Sequence, residues 1–295
     1  LNSPITMGTA FDRLFTACEA NNFCNQHYPD LETVFFETAI NLIKHPANIA
    51  VRDPKTGKQY PAAIVDGETF MGLTFQMLYA GSLLPALPRM IYEAHAGEFG
   101  FFSKIFELIV FDRSMSLGMY YSVICSEDAD FELDNFNLEG VQPEIANMEM
   151  DTPAELLKTC KIWDVEQLGP DVDLPVTSSI PTLLLSGYYD PITPSSYAAL
   201  VAETLSNSQQ ITFSTGAHGQ ALESSCSDTI IQAFVDNPAD TLDTSCAADP
   251  KTPVFITPEN TIDLPVSAML MNGEPEALIE LLIFASGLLF LLSTI

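Results

Sequence analysis

The sequence predicts an α/β fold: a parallel strand–helix–strand–helix segment, a mostly helical part before it and a terminal hydrophobic helix after it. Three observations carry this. Between 171 and 246, two apolar runs, "IPTLLLSG" and "QQITFST", alternate with two amphipathic ones, "SSYAALVAETL" and "SDTIIQAFVDNP". That order builds a parallel sheet. Before 166, apolar residues recur mostly at helical spacing. After 276, "ALIELLIFASGLLFLLSTI" is apolar apart from Glu280 and small hydroxyl residues.

Residues 1–65 read as helices and a hairpin. "FDRLFTACEANNFC" is an amphipathic, turn-rich piece bounded by Cys18 and Cys24, and Leu31 to Lys44 is a helix stopped by Pro46. "VRDPKTGKQYPAAIVDG" places two short strands around Pro54 and Gly57. Residues 66–165 are helical, with aromatic and Met stripes that form core or the floor of an apolar cleft. Within them, 126–151 is acidic and without pattern. "TPAELLKTCKIWDV" then starts a short helix at a Thr–Pro signal. Residues 171–246 form the α/β segment and 247–276 a Pro-rich linker. Residues 277–295 are expected to span a membrane. The uncharged run from Leu281 covers roughly 22 Å at ~1.5 Å per residue; the four residues before it bring it nearer the ~30 Å hydrocarbon core. The acidic charges before it suit the non-cytoplasmic side.

The chain has 295 residues and is 47% hydrophobic, enough for a substantial core. Its 39 acidic residues against 11 basic ones give a net charge of −28. Such a surface repels nucleic acid, and no nucleic-acid partner is expected. The six cysteines, Cys18, Cys24, Cys125, Cys160, Cys226 and Cys246, form no CxxC motif. With four histidines and no zinc-site spacing, neither metal nor cofactor is expected. An even, dispersed set suits disulfides in an oxidising compartment; buried thiols are the alternative. The chain opens at Leu1 without a signal-peptide pattern, as a processed chain or a fragment does.

Catalytic groups in open α/β sheets gather beyond the C-terminal ends of the strands. Asp190 follows the first strand, in "SGYYDPITP", and His218 follows the second, in "GAHG". Alone, the first could be a turn or helix cap and the second a surface residue. Together, on neighbouring parallel strands, they face one crevice. There the carboxylate can accept Nδ1–H and leave Nε2 to take a proton from a hydroxyl.

These stretches, with "FDRLFTACEANNFCNQHYPDLE", "YYSVICSEDAD" and "CKIWDV", resemble the TAP-like branch of the α/β-hydrolase family of proline iminopeptidases and tripeptidyl aminopeptidases. The resemblance runs over about residues 10–246. It implies the C-terminal part of an α/β-hydrolase fold, with 66–165 as a helical cap. It implies Asp190 as catalytic acid, His218 as base, and the cysteine pairs 18–24, 125–160 and 226–246. It implies cleavage of short peptides or residues from free N-termini, or, on the same scaffold, of carboxylic esters.

The G-x-S-x-G nucleophile elbow of that family is absent. Ser82 in "YAGSLLP" and Ser286 in "FASGLLF" lack its flanking glycines. The family's serine would fall before Leu1, so a missing N-terminal segment is expected to complete fold and triad, and this chain alone to be inactive. A non-catalytic, membrane-tethered binding or assembly module is the reading from a different class. Glu93, Glu98 and Glu107 are cap carboxylates able to read a substrate amine, though each also suits a solvated helix surface. The expected location is extracytoplasmic, secreted or anchored through 277–295.

Overall fold

The computed structural model describes residues 2–169, 171–248 and 252–260. It begins with helices α1 (Ser3–Ala20), α2 (Asn22–His27) and α3 (Leu31–Lys44), followed by an antiparallel hairpin of β1 (Ala47–Arg52) and β2 (Gln59–Val65). Asn21 closes α1 and caps α2, its side chain accepting the N–H groups of Phe23 and Cys24. Five helices follow: α4 (Gly67–Met77), α5 (Leu87–His95), α6 (Gly100–Val110), α7 (Leu117–Glu127) and α8 (Pro143–Trp163). Then come β3 (Thr182–Gly187), α9 (Ser195–Ala202), β4 (Ser208–Phe213) and α10 (Ser225–Asp236). β3 and β4 pair in parallel, Leu185 opposite Ile211 and Gly187 opposite Phe213.

The apolar residues divide into two clusters. The larger joins α1, α3, α4 and α6 through Phe11, Phe35, Phe70 and Phe102, whose rings lie 4.8, 5.4 and 6.1 Å apart in that order, and takes in α5 through Met90 and Ile91. Each such pair adds about 0.5–1.5 kcal/mol beyond burial. The smaller cluster, Ile211, Phe213, Ile230 and Ala247, joins β4 to α10 and the turn after it. Tyr189, only 2% exposed, belongs to the larger cluster although it sits in the loop after β3. The α/β segment is thereby rooted in the helical layer.

Two stretches differ from the sequence reading. The helix expected from Thr152 begins at Pro143, and Pro153 lies inside it. Pro143 occupies the first turn, where its missing N–H is no loss. Ile145, 1% exposed, packs the first turn into the larger cluster. That packing outweighs the backbone bond Pro153 cannot donate. Residues 252–260, part of the Pro-rich linker, lie against the helical layer. Phe255 is buried there, Ile256 N–H donates to Pro85 O at 2.8 Å, and Tyr28 Oη–H donates to Ile256 O at 3.0 Å.

The expected terminal membrane helix is corrected. Residues 277–295 lie outside the described residues, and among the described residues no helix is long and apolar enough to cross a membrane. The longest, α8, carries Glu144, Glu149, Glu155, Lys158 and Lys161, whose burial in hydrocarbon is costly. The expectations of a terminal membrane helix and of anchoring through it, as partner and as location, are thereby overturned.

Disulfides join Cys18 to Cys24, Cys125 to Cys160 and Cys226 to Cys246. The second spans 35 residues and ties α7 to α8; the first spans 6. By loop-closure entropy the longer loop stabilises more, about 4 kcal/mol against about 2. Replacing Cys125 and Cys160 together by serine should therefore lower the urea midpoint more than replacing Cys18 and Cys24. The reverse order would show that native packing, not the unfolded chain, sets the effect.

Candidate active site

The site is built at the C-terminal ends of β3 and β4. The parallel ladder continues past both strands: Tyr188 N–H donates to Phe213 O, and Tyr189 N–H to Gly216 O, each at 2.9 Å. Two loops are thus stitched side by side, one ending at Asp190 and the other at His218. Gly187 allows this approach, because a Cβ there would lie 2.2 Å from Ala217 O and 2.5 Å from Ala217 N.

Asp190 is 4% exposed, and a buried carboxylate needs its lone pairs met. Pro191 cannot donate, so the next two backbone N–H groups serve. Ile192 and Thr193 donate to Oδ1 at 2.8 and 2.9 Å. The Thr193 hydroxyl donates to Oδ2 at 2.8 Å. The turn-cap role weighed from sequence is therefore present, and it fixes the carboxylate toward the second loop.

His218 Nδ1 lies 3.1 Å from Oδ1 and 3.2 Å from Oδ2 of Asp190. Thr193 Oγ1 is 3.3 Å from the same nitrogen, but its single proton is directed to Asp190. An ionised Asp190 can only accept, so the proton of this bond belongs to Nδ1. The neutral ring then presents an unprotonated Nε2. Among the described residues, nothing hydrogen-bonds Nε2, and the His218 side chain is 36% exposed. This arrangement can accept a proton from a nearby hydroxyl and hold the resulting imidazolium against a carboxylate. Ser82 is exposed in the turn after α4 and is not among the partners of His218.

The helical layer meets this rim. Tyr79, just beyond α4, accepts His218 N–H on its carbonyl at 3.2 Å and sets its ring 5.3 Å from the imidazole at 73°. Burial, reinforced by the charges of Glu149 and Asp190, pushes the Tyr79 hydroxyl up to about 12. Arg13 of α1 donates to Tyr188 O and lies 4.4 Å over the Tyr188 ring. Glu149 of α8 is part-buried, and burial pushes its carboxyl above the usual range, opposed by a hydrogen bond from Ser3.

The carboxylates singled out from sequence are otherwise placed. Glu93 pairs with Arg89 at 2.6 Å, Glu107 accepts Arg52 N–H at 2.8 Å, and Glu98 is exposed. Glu149 fell in the stretch read as patternless. The only signal that could have found it is its position one turn after Ile145 on an amphipathic α8. Two cavities in the helical layer, about 490 and 480 Å³, have neither Asp190 nor His218 among their lining residues.

No curated protein matches the chain. The family model described as TAP-like protein matches residues 146–246, the later part of the stretch over which the sequence resemblance runs. From within α8 through β3, Asp190, β4 and His218 to Cys246, the chain carries a TAP-like domain, consistent with the α/β-hydrolase superfamily.

Proposed function

We propose that Asp190 and His218 are the acid and base of a serine hydrolase that releases short peptides or residues from free N-termini. One observation carries this reading: a buried carboxylate bonded to Nδ1 of an imidazole whose Nε2 is open, at the rim of parallel strands. That is the half of a triad that activates a hydroxyl. The nucleophilic serine is supplied by residues other than those placed at His218, as the absent G-x-S-x-G elbow implies. The carboxylate assigned to read the substrate's amine is Glu149, part-buried on α8, which packs on the larger cluster against α4, the helix that leads to Tyr79. Three disulfides favour an oxidising, extracytoplasmic setting.

The test uses protein from the full reading frame. A fluorophosphonate probe should label one serine, which peptide mapping locates. A tripeptidyl chromogenic amide with a free amine should be cleaved, and its acetylated form poorly. A charge-assisted bond contributes ~1.5–3 kcal/mol. Glu149→Gln should accordingly raise KM for the free-amine substrate by about ten- to a hundredfold and leave a simple ester unaffected. Turnover of the ester without either amide would make the protein an ester hydrolase. No labelling and no turnover would leave a non-catalytic module.

A further inference from the structure

The His218 loop is gripped by the end of α4 at more than one point. The Tyr79 carbonyl accepts His218 N–H at 3.2 Å. The Tyr79 ring stands edge-on to the imidazole at 5.3 Å, and Phe75 packs edge-on against Tyr79 from the previous turn at 5.5 Å. Two residues on, Gly81 N–H faces the Glu223 carboxylate at 3.2 and 3.3 Å, beyond the turn that follows His218. A Cβ at Gly81 would lie 2.7 Å from Glu223 Oε2 and 3.2 Å from Thr215 O, so this segment sits closely against both sides of the loop.

Asp190 alone does not define the ring's position. Its two oxygens are almost equidistant from Nδ1, and the His218 side chain is 36% exposed. A bond of that kind leaves the imidazole free to swing about the carboxylate and to admit water to Nδ1. The ring of Tyr79 occupies one side of that arc. Its carbonyl fixes the backbone from which the imidazole extends.

We propose that Tyr79 is a positioning residue for His218: its ring and carbonyl seat the imidazole so that Nδ1–H stays on Asp190 and Nε2 faces outward. The role rests on the reading of Asp190 and His218 as acid and base. It belongs to the aromatic ring and the backbone, not to the phenolic hydroxyl. Phenylalanine should therefore serve in its place, while leucine, of apolar bulk but without the ring, should not.

The readout is the His218 ring itself. The chain has four histidines, so ¹⁵N-histidine spectra of the intact protein are assignable by comparison with His218→Gln. Wild type should show His218 as the Nδ1–H tautomer, with a slowly exchanging Nδ1 proton. Tyr79→Leu and Tyr79→Ala should lose the slow exchange and mix tautomers, and Tyr79→Phe should retain the wild-type pattern. Circular dichroism identifies variants that fold, and Tyr79→Leu stands in if Tyr79→Ala does not. A folded Tyr79→Leu protein with an unchanged Nδ1–H signal overturns the proposal, as does loss of that signal in Tyr79→Phe. Asp190→Asn separates the two claims: if the signal survives there, the acid–base reading itself fails, whatever Tyr79 does.

Discussion

Asp190→Asn is expected to lower kcat about 10⁴-fold, and His218→Ala by more, in the protein that carries the nucleophile. The first loss follows from hydrogen-bond polarity. Asparagine keeps an oxygen for the Ile192 and Thr193 N–H groups, so the turn survives. Its amide NH₂ takes the place of Oδ2, 3.2 Å from His218 Nδ1, and donates where that oxygen accepted. The ring answers by moving its proton to Nε2, the nitrogen that must be bare to deprotonate a serine. The fold stays; the tautomer is wrong. His218→Ala removes the base outright. The double variant should be no worse than His218→Ala alone, because groups that act as a unit are not additive. Steady-state rates on the free-amine amide, with circular dichroism to confirm folding, decide the matter. Near-wild-type turnover in either single variant would remove Asp190 and His218 from the chemistry.

These two residues were legible because their signals are local and their meeting is topological. A short apolar run ending in glycine and aspartate marks the end of a strand, and parallel neighbours bring such ends to one rim. Helix α3 was legible for a similar reason: one amphipathic run from Leu31 to Lys44 is stopped by Pro46. The start of α8 was not. Thr152–Pro153 is a good local N-terminus, and only the packing of Ile145 against distant helices shows that the helix is already under way. Tyr79 was hidden in the same way. Nothing between 66 and 80 tells that its carbonyl and ring reach a histidine in the α/β segment. The stretch 252–260 has the composition of a linker, but buried Phe255, the Ile256 N–H bond to Pro85 O and the Tyr28 hydroxyl bond to Ile256 O hold it to the helical layer. The apolar content of 277–295 was read as a membrane span, and among the described residues no helix is long and apolar enough to be one.

Gly187→Ala should destabilise the protein by about 3 kcal/mol, the upper end of what overpacking costs. The added methyl would stand 2.2 Å from Ala217 O and 2.5 Å from both Ala217 N and the Gly216 carbonyl carbon. All three are backbone atoms, so no side chain can swing aside. The His218 loop must lift from the end of β3, and the bond from Tyr189 N–H to Gly216 O at 2.9 Å stretches with it. Asp190 and His218 are held across that seam, so a displacement of about 1 Å would also cost about a hundredfold in rate. Gly72 provides the internal control. It lies inside α4, and beyond its chain neighbours and its own helix backbone no atom comes within 4 Å of its missing Cβ; alanine there should stabilise the protein by about 1 kcal/mol. Urea midpoints of the two variants should therefore move in opposite directions. A Gly187→Ala protein as stable as wild type would mean that the two loops are not pressed together, and the case for Asp190 and His218 as a working pair would lose its footing.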